Sequence, residues 1–588
     1  MFNKAQEEAI KSENKRILIL AGAGTGKTSV VINRIVKIIQ EGTPANQIVA
    51  TTFTNKAAKE LLTRLSLIIG EEAKSIYCGT FHKISAQILR KYSSLVSLEP
   101  NFQLLTEDDQ KRIIKNYLKS VGSEEKPKVL LDKISQYKET GKTKDDILFI
   151  KTYEFYQKTL KENNFLDYSD LIQKAVDLFA NNEDANKEIC SHLLVDEYQD
   201  INGLQYKWIK NLSKDASLFC VGDEDQSIYA FRGANIKYIQ SFQEDFQEAK
   251  IIKLEENYRS CSQILRGAVN VISKNRKKYI KNLISANETL TGFIKVNKVF
   301  NEYDEAAYIA KKVIDYQKNY PDYTIGVLVR TNLQLLAIEQ ALVENNIKYK
   351  LSAGKKFYDK KEILDLISYL RAINSAEDFL AFSRIINTPK RGIGEAKQSM
   401  FLDAMKSLNC GFENALIALL DQLPKAVSEK CKIFLMQIKT WRALLKETKP
   451  IEVLKAILKD TKYIELEDIK EMKNIDALKD HLKQYEVLSD FLENLQFTTE
   501  EEESNEVQIM TMHGAKGLEF DIVIAPGWEE NIFPSMLSKT TEELEEERRL
   551  AYVTITRAKR FLDILYTTSR RINGKFFSQI PSRFIFEL

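Results

Sequence analysis

A glycine-rich loop between a short apolar run and a helical pattern constrains the fold of this chain more than any other feature. The apolar run covers residues 17–20, and the helical pattern extends from Ser29 to about Gln40. The loop between them reads Ala21, Gly22, Ala23, Gly24, Thr25, Gly26, Lys27 and Thr28. A strand, a loop of this composition and a helix form a P-loop, which predicts an α/β nucleotide-binding domain with a parallel sheet.

The residue types in this loop suit the binding of a nucleoside triphosphate. Glycines allow backbone N–H groups to surround phosphate oxygens, because no Cβ atom stands in the way. Lys27 can reach the β- and γ-phosphates, and the Thr28 hydroxyl can hold Mg²⁺. Ala21 is a mild departure, since the strict pattern begins with glycine. We predict that residues 21–28 bind ATP with Mg²⁺; the alternative is a glycine-rich turn with a chance Lys-Thr pair.

Short apolar runs at both ends of the chain predict two α/β domains. The runs cover residues 17–20, 48–52, 193–195 and 218–221, and then 325–329, 507–510, 522–524 and 561–566. Runs that are apolar on both faces and alternate with helical patterns are typical of central strands in parallel sheets. Two Lys/Glu-rich stretches, at about 91–180 and 376–503, lack this pattern and predict helical insertions. Four glutamates at 500–503 end the second stretch, and we interpret them as a solvated linker.

Polar residues follow two of the predicted strands at the ends where parallel sheets bind ligands. Asp196 and Glu197 come directly after residues 193–195. Asp196 can coordinate Mg²⁺, and Glu197 can orient and deprotonate an attacking water. Gln226, near the end of the next strand, could sense the γ-phosphate. A charged strand end on the surface is the alternative, and the upstream P-loop weighs against it.

Aromatic and cationic residues follow in the same segment. Tyr229, Phe231 and Arg232 combine rings that can stack on bases with a cation that can hold phosphate. Read alone, such aromatic residues are more often part of a core. Their assignment to nucleic-acid binding therefore depends on the surrounding motifs.

Composition sets few limits on function. The chain has 588 residues, with 86 Lys and Arg against 83 Asp and Glu, so its net charge of +3 does not by itself indicate nucleic-acid binding. None of the six cysteines forms a CxxC pair, which predicts neither a zinc site nor a disulfide framework. No signal peptide and no apolar run of about 20 residues is present. We therefore expect a cytoplasmic protein.

In combination, these motifs resemble the UvrD/Rep/PcrA family of superfamily 1 DNA helicases. The matching segments lie in family order at residues 2–6, 51–58, 79–82, 196–200, 222–229, 231–234, 257–260, 388–394, 511–520 and 547–558. The resemblance implies two RecA-like domains, each with a mostly helical insertion. The predicted ranges are 1–90 and 181–262 for the first domain, 91–180 for its insertion, 263–375 and 504–588 for the second domain, and 376–503 for its insertion.

The resemblance also implies roles for individual residues. To the catalytic residues Lys27, Glu197 and Gln226 it adds two arginines. Arg259 is the γ-phosphate arginine near the hinge, and Arg557 acts across the domain cleft. To the ATP contacts of residues 21–28 it adds Gln6, Tyr258 and Glu519, while Thr28 and Asp196 remain the metal ligands. Single-stranded DNA contacts are implied for Phe53, Asn55, His82, Tyr229, Phe231, Arg232 and His513. The expected activity is ATP- and Mg²⁺-dependent, 3′→5′ movement on single-stranded DNA and unwinding at single/double-strand junctions.

Three departures from the family pattern are visible. Ser29 stands where several relatives have an adenine-stacking arginine, which leaves Arg34 as a candidate for that face. Phe231 stands where relatives often have tryptophan. The second insertion is short, and the long C-terminal tail of many relatives is missing after Leu588, so partner binding is the least secure implication.

Three other functions are compatible with parts of the pattern. A translocase that strips proteins from DNA without opening duplex would share every motif. A helicase–nuclease subunit would need a further domain, and the residues after Arg557 are too few for one. A non-enzymatic DNA-binding scaffold would not need the complete set of catalytic residues. Repair, replication restart, recombination control and plasmid replication are all open as pathways.

Overall fold

Two parallel sheets organise the chain, as the sequence predicts, and each has six strands rather than only the four runs found in the sequence. The computed structural model describes residues 2–140, 146–287, 289–331, 334–345, 347–351, 361–408, 410–463, 475, 478–479, 482–483, 485–495, 506–572 and 575–588. The predicted acidic linker at 500–503 lies outside these residues. Element labels below run in chain order.

The first sheet has the strand order β3-β2-β6-β7-β1-β8. Its strands are β1 (Arg16–Ala21), β2 (Ile48–Thr51), β3 (Tyr77–Gly79), β6 (His192–Val195), β7 (Ser217–Gly222) and β8 (Lys250–Leu254). Leu18 of β1 aligns with Cys220 on one side and Ile251 on the other. Residues 17–21 are buried because β1 has strands on both sides and helices over both faces. All the strand ends predicted to carry site residues therefore meet at one edge.

Helices cover this sheet and begin at defined caps. They are α1 (Lys4–Lys11), α2 (Lys27–Gln40), α3 (Asn55–Ile69), α4 (Phe81–Lys91), α10 (Gly203–Leu212), α11 (Lys237–Gln240) and α12 (Phe242–Asp245). Helix α1 begins with a capping box in which Asn3 and Gln6 bond each other's backbone N–H groups. Thr54 and Thr80 cap α3 and α4 more simply, each with a side-chain oxygen that accepts from a backbone N–H of the first turn. These caps fix where the loops after β2 and β3 end.

The stretch predicted as the first insertion is mostly helical. Its helices are α5 (Glu107–Ser120), α6 (Pro127–Thr140), α7 (Ile147–Glu162), α8 (Tyr168–Asn181) and α9 (Glu183–Ile189). Two short strands, β4 (Gln103–Leu104) and β5 (Phe165–Leu166), pair in parallel within it. Sequence analysis missed this pair, because two-residue strands show no alternation of apolar and polar residues.

The second sheet has the order β11-β16-β15-β12-β14-β13 and is also parallel. Its strands are β11 (Phe293–Val299), β12 (Ile325–Val329), β13 (Tyr349–Leu351), β14 (Val507–Thr511), β15 (Phe520–Ala525) and β16 (Ala558–Thr567). Beside it lie α13 (Ser262–Ile272), α14 (Glu302–Asn319), α15 (Leu335–Glu344), α23 (Thr541–Ile555) and α24 (Arg583–Phe586). The strand pair β9 (Glu256–Asn257) and β10 (Ile284–Ser285) and the hairpin of β17 (Ser569–Ile572) and β18 (Lys575–Ser578) complete this part.

The chain divides into two compact units, one formed by Met1–Ala353 with Glu500–Leu588 and the other by Gly354–Thr499. The first unit contains both sheets. The second is helical where it is described: α16 (Lys361–Asn374), α17 (Phe379–Ile385), α18 (Glu395–Leu408), α19 (Phe412–Leu419), α20 (Lys425–Glu447), α21 (Pro450–Thr461) and α22 (Leu488–Leu495). Phe382, Phe434 and Trp441 lie at the centre of its core. The six domain ranges inferred from the sequence remain predictions. Among the described residues, no helix is long and apolar enough to cross a membrane.

Candidate ATP and DNA site

The loop after β1 is shaped to receive phosphate. Gly24 and Gly26 have φ values of 66° and 81°, a region that favours glycine. A Cβ atom on Gly24 would lie 2.6 Å from the Asn257 side chain, and one on Gly26 would lie 2.8 Å from Gln6 Nε2. Gly26 also begins α2 and has no side chain that could cap the helix. The first N–H groups of α2 are therefore available to an anion, as a P-loop requires.

Lys27 and the two carboxylates predicted beside it come together at this loop. The Lys27 Nζ atom is buried, has no hydrogen-bond partner and lies 3.9 Å from Glu197 Oε1. Glu197 has a left-handed backbone with φ 53°, and its N–H donates to Asp196 Oδ1 at 2.9 Å. Thr28 lies in the same first turn of α2. An unpartnered buried ammonium group beside open helix amides fits the phosphates of ATP, and the oxygen donors of Thr28 and Asp196 suit Mg²⁺.

The two neighbouring carboxylates, Asp196 and Glu197, have pKa values shifted in opposite directions. Burial and the neighbouring Glu197 raise the pKa of Asp196 to about 7. Burial also opposes ionisation of Glu197, but Lys27 and Lys516 outweigh it and hold the pKa of Glu197 below its ordinary value. Glu197 is therefore ionised at neutral pH, as a general base must be. A bound cation next to Asp196 would favour the ionised form of that residue as well.

Cationic side chains that follow elements of the second sheet reach the same site. Lys516, in the turn after β14, donates from Nζ to the Gln226 carbonyl oxygen at 2.6 Å and to the Asp200 carboxylate. Arg557, at the end of α23, donates from Nη2 to Gln226 Oε1 at 3.4 Å. Burial and the nearby Arg259 lower the pKa of Arg557 to about 9. An anion between these two arginines would relieve their repulsion, which is the behaviour expected at a γ-phosphate.

Arg259 is placed by a residue that the sequence analysis did not single out. Asn257 is fully buried, donates to the Ala23 carbonyl oxygen at 2.5 Å and accepts from the Arg259 N–H at 2.9 Å. The Arg259 side chain donates from Nε to Glu519 Oε2 at 2.6 Å. Glu519 also forms an ion pair with Lys559 at 3.0 Å. Glu519, one of the predicted ATP contacts, is thus held by two cations at the edge of the cleft.

Two further predicted ATP contacts, Gln6 and Tyr258, lie beside the P-loop. Gln6 Nε2 donates to the Thr25 carbonyl oxygen at 3.0 Å, which ties α1 to the P-loop. Tyr258 lies beside the loop, because its N–H donates to the Gly24 carbonyl oxygen at 2.9 Å, and its ring is 47% exposed.

The suggestion that Arg34 stacks on adenine is wrong. Its side chain is 6% exposed and donates to the Ile10 and Ser12 carbonyl oxygens at 2.8 and 2.6 Å. These bonds bind the carbonyl groups at the end of α1, so its guanidinium group is used within the fold. Ser29 and Asn33 lie elsewhere on α2 and are half-buried, and the Asn33 side-chain amide donates to the Ser29 carbonyl oxygen at 2.8 Å.

Five of the predicted DNA contacts form one aromatic and cationic cluster. Phe53 and Tyr229 stack with ring centroids 4.9 Å apart, and Tyr229 donates from its hydroxyl to the His513 carbonyl oxygen at 3.2 Å. The edge of the His513 ring meets Phe231 at 5.4 Å, and Arg232 lies over the Phe231 ring at 5.5 Å. Phe231 is 66% exposed, so it offers a free ring face to a base. Both sheets contribute to this cluster.

The other two predicted contacts lie on helix starts of the first sheet. Asn55 begins α3, and its Oδ1 atom is buried without a hydrogen-bond partner. His82 lies in the first turn of α4, where its ring meets the edge of Tyr168 at 5.1 Å. Burial lowers the pKa of His82 to about 4, as it does that of His513 together with nearby cations. Both histidines are therefore neutral at neutral pH.

Comparison with known proteins decides the family. The UvrD/REP helicase N-terminal domain matches residues 2–247, and the UvrD-like helicase C-terminal domain matches residues 252–569. The chain belongs to the UvrD/REP helicase family. As a member of that family it is an ATP-dependent DNA helicase.

Two relatives illustrate the extent of the similarity. The ATP-dependent DNA helicase PcrA of Staphylococcus epidermidis is 38% identical over 636 aligned positions, which cover 100% of this chain and 86% of the relative. The protein of the same name from Staphylococcus aureus is 37% identical over 634 positions with the same coverage. The similarity therefore includes both sheets and both predicted insertions.

One family element lies in the second unit. The loop at residues 388–394 is one of the segments that match the family pattern, and the structure shows how its backbone is held. Arg391 is 7% exposed and donates from Nη1 to the Ile385 and Thr388 carbonyl oxygens at 2.9 and 3.1 Å, with its guanidinium carbon 4.4 Å from the centre of the Phe434 ring. The buried guanidinium group therefore holds the loop by bonding its carbonyl oxygens. Lys390 and Gly392 are the exposed residues on either side of it.

Proposed function

We propose that this helicase moves 3′→5′ along single-stranded DNA and unwinds duplex at single/double-strand junctions, in DNA repair, replication restart or recombination control. The observation that supports the proposal is the bond between Gln226 and Arg557, because it joins residues of the two sheets that are both predicted to act on the γ-phosphate. Aromatic residues on the same sheet edges provide the grip on DNA.

ATP hydrolysis follows from the placement of the charged groups. The P-loop amides and Lys27 hold the β- and γ-phosphates. Thr28 and Asp196 would hold Mg²⁺, which would neutralise phosphate charge. Glu197 takes a proton from a water whose oxygen attacks the γ-phosphorus, and the bond to the β-phosphate oxygen breaks. Arg259 and Arg557 stabilise the charge on the transferred group, so hydrolysis depends on a closed cleft. ADP and phosphate leave, and the cleft loses the anion that drew the arginines together.

Movement on DNA follows from the position of the aromatic cluster. Tyr229 and His513 belong to different sheets and share a hydrogen bond, and Lys516 lies over the Tyr229 ring at 5.2 Å while bonding the ATP-site residue Gln226. Opening the cleft must therefore change the spacing of the groups that hold bases. Alternation between a tight and a loose grip on successive bases moves the strand.

Mg²⁺-dependent strand separation tests the proposal. Duplexes with either a 3′ or a 5′ single-stranded tail are mixed with the protein, ATP and Mg²⁺, and Glu197→Gln serves as the matched inactive variant. Separation from the 3′ tail alone, lost in Glu197→Gln, is the expected result. Separation from the 5′ tail alone would contradict the direction of movement.

A translocase that strips bound proteins is the second candidate, because it would use the same ATP site and the same aromatic cluster. DNA-stimulated ATP hydrolysis without strand separation from either tail would favour it. A displacement assay with a protein bound to single-stranded DNA then distinguishes this translocase from a helicase that requires a loading partner.

A further inference from the structure

A lysine-containing segment crosses the ATP site behind the P-loop. This strap, residues 277–285, follows α13 and includes β10, which pairs in parallel with β9. The Ile284 N–H donates to the Glu255 carbonyl oxygen at 2.9 Å. A Cβ atom on Gly22 would lie 2.5 Å from Leu283 Cδ1, so the strap packs directly on the P-loop. No role has been assigned to it so far.

Lys281 of the strap is buried among acidic residues of the first sheet. Its side chain is 4% exposed and forms ion pairs with Asp223 and, at 3.1 Å, with Asp225 Oδ2. Asp223 and Asp225 are themselves 0% and 4% exposed. Burial opposes the charge on Lys281, but the two carboxylates raise its pKa above the ordinary value. A buried charge is stable only when opposite charges contact it, so Lys281 and the two carboxylates depend on one another.

Asp223 uses its second oxygen on the catalytic amide. Gln226 Nε2 donates to Asp223 Oδ2 at 2.7 Å, while Gln226 Oε1 accepts from Arg557 at 3.4 Å. An ionised carboxylate accepts hydrogen bonds only, so Asp223 selects the nitrogen end of the amide. The oxygen end must then face the cleft. Without this selection, the two ends of the amide would be nearly equivalent in shape.

We propose that Lys281 is a positioning residue for ATP hydrolysis: it holds the Asp223 carboxylate so that the Gln226 amide presents its oxygen to Arg557 and the γ-phosphate position. The inference rests on the proposed role of Gln226 in hydrolysis. It extends the ATP site to the strap, which lies outside the P-loop and the sheet ends. The competing explanation is that Lys281 anchors the strap and has no influence on the amide.

A double-mutant cycle between the two residues separates these explanations. Lys281→Met, Gln226→Ala and the double variant are compared in DNA-stimulated ATP hydrolysis at saturating single-stranded DNA. We expect Lys281→Met to lower kcat about tenfold or more, as loss of a group that orients a catalytic residue does, with a smaller change in KM for ATP. Lys281→Arg, which keeps the charge, should recover part of kcat. Lys278→Met is the matched control, because that lysine lies on the same strap, is 39% exposed and pairs with Glu244.

The double variant decides the outcome. If it is no slower than Gln226→Ala, Lys281 acts through the amide. If the two losses multiply, Lys281 acts elsewhere and the inference is wrong. Normal kcat in Gln226→Ala would instead overturn the proposed role of Gln226, so the two failures are distinct.

A second variant covers the case in which Lys281→Met does not fold. Asp223→Asn keeps the shape of the side chain but can present either a donor or an acceptor to Gln226. It should lower kcat alone and add nothing to Gln226→Ala. Thermal melting of each variant, with and without ATP, confirms that the folded protein is being compared.

Discussion

The two sheets of this chain share one architecture and carry opposite parts of one site. Both have six parallel strands with helices beside them. The first ends in the P-loop and in acids such as Asp196 and Glu197, whereas the second contributes the cations Lys516 and Arg557. Neither sheet holds a complete set of groups for hydrolysis. In the mechanism that we propose, a motor needs two copies of the fold because the groups for hydrolysis are complete only when the cleft between them is closed.

The largest expected effect comes from removing the second sheet's contribution alone. Arg557→Ala should lower kcat for DNA-stimulated ATP hydrolysis by about 10³-fold, because a transition-state arginine contributes that much or more. ATP binding by the P-loop should change far less, which a fluorescent ATP analogue can measure. Arg560→Ala is the control, since that arginine lies three positions further along, in β16, with its guanidinium over Tyr323. Equal losses in both variants would contradict a specific role for Arg557.

Removing a predicted metal ligand from the first sheet should reduce ATP hydrolysis less, and the reduction should depend on the Mg²⁺ concentration. We expect Asp196→Asn to raise the Mg²⁺ concentration for half-maximal ATP hydrolysis by about tenfold, with activity partly recovered at high Mg²⁺. Mg²⁺ titrations of the two proteins measure this. Asp215→Asn, an exposed aspartate before β7, should leave the titration unchanged. An unaltered Mg²⁺ requirement in Asp196→Asn would remove that residue from the metal site.

The aromatic cluster tests whether DNA binding is shared between the sheets. Phe231→Ala should weaken binding of single-stranded DNA by about 1–3 kcal/mol, the usual contribution of one stacking ring. Phe300→Ala is a matched control, because both rings are 66% exposed and neither change should affect folding. Fluorescence anisotropy with a labelled oligonucleotide measures the difference. Similar affinities for the two variants would show that Phe231 does not stack on bases.

The smallest expected effect is the difference between His82 and His513 in the DNA stimulation of ATP hydrolysis. We predict that alanine at either position reduces DNA stimulation of ATP hydrolysis, and that His513→Ala does so more than His82→Ala. His513 lies in the cluster with Tyr229 and Phe231, whereas His82 contacts Tyr168. The ratio of ATPase rates with and without DNA is the measurement. An unchanged ratio in both variants would rule out a coupling role for these residues.

Much of this arrangement could be predicted from the sequence because its signals are local. All eight predicted strand runs lie in or overlap strands of the two sheets. A run that is apolar on both faces is buried only in a sheet with helices on both sides. The P-loop was recognisable from eight adjacent residues. Where the signal was weak, prediction failed: the pair β4 and β5 is too short for a pattern, and Arg34 was suggested for adenine from chain position alone.

The sequence by itself determined the fold class, the chemistry of the P-loop and the family, because each depends on residue types at close spacing. Only the tertiary structure decided which distant charges meet. Lys281 lies 58 positions from Asp223, and Lys516 lies 316 positions from Asp200. Such pairs are selected by burial: a charge excluded from water must find an opposite charge, and packing alone determines which one is in reach.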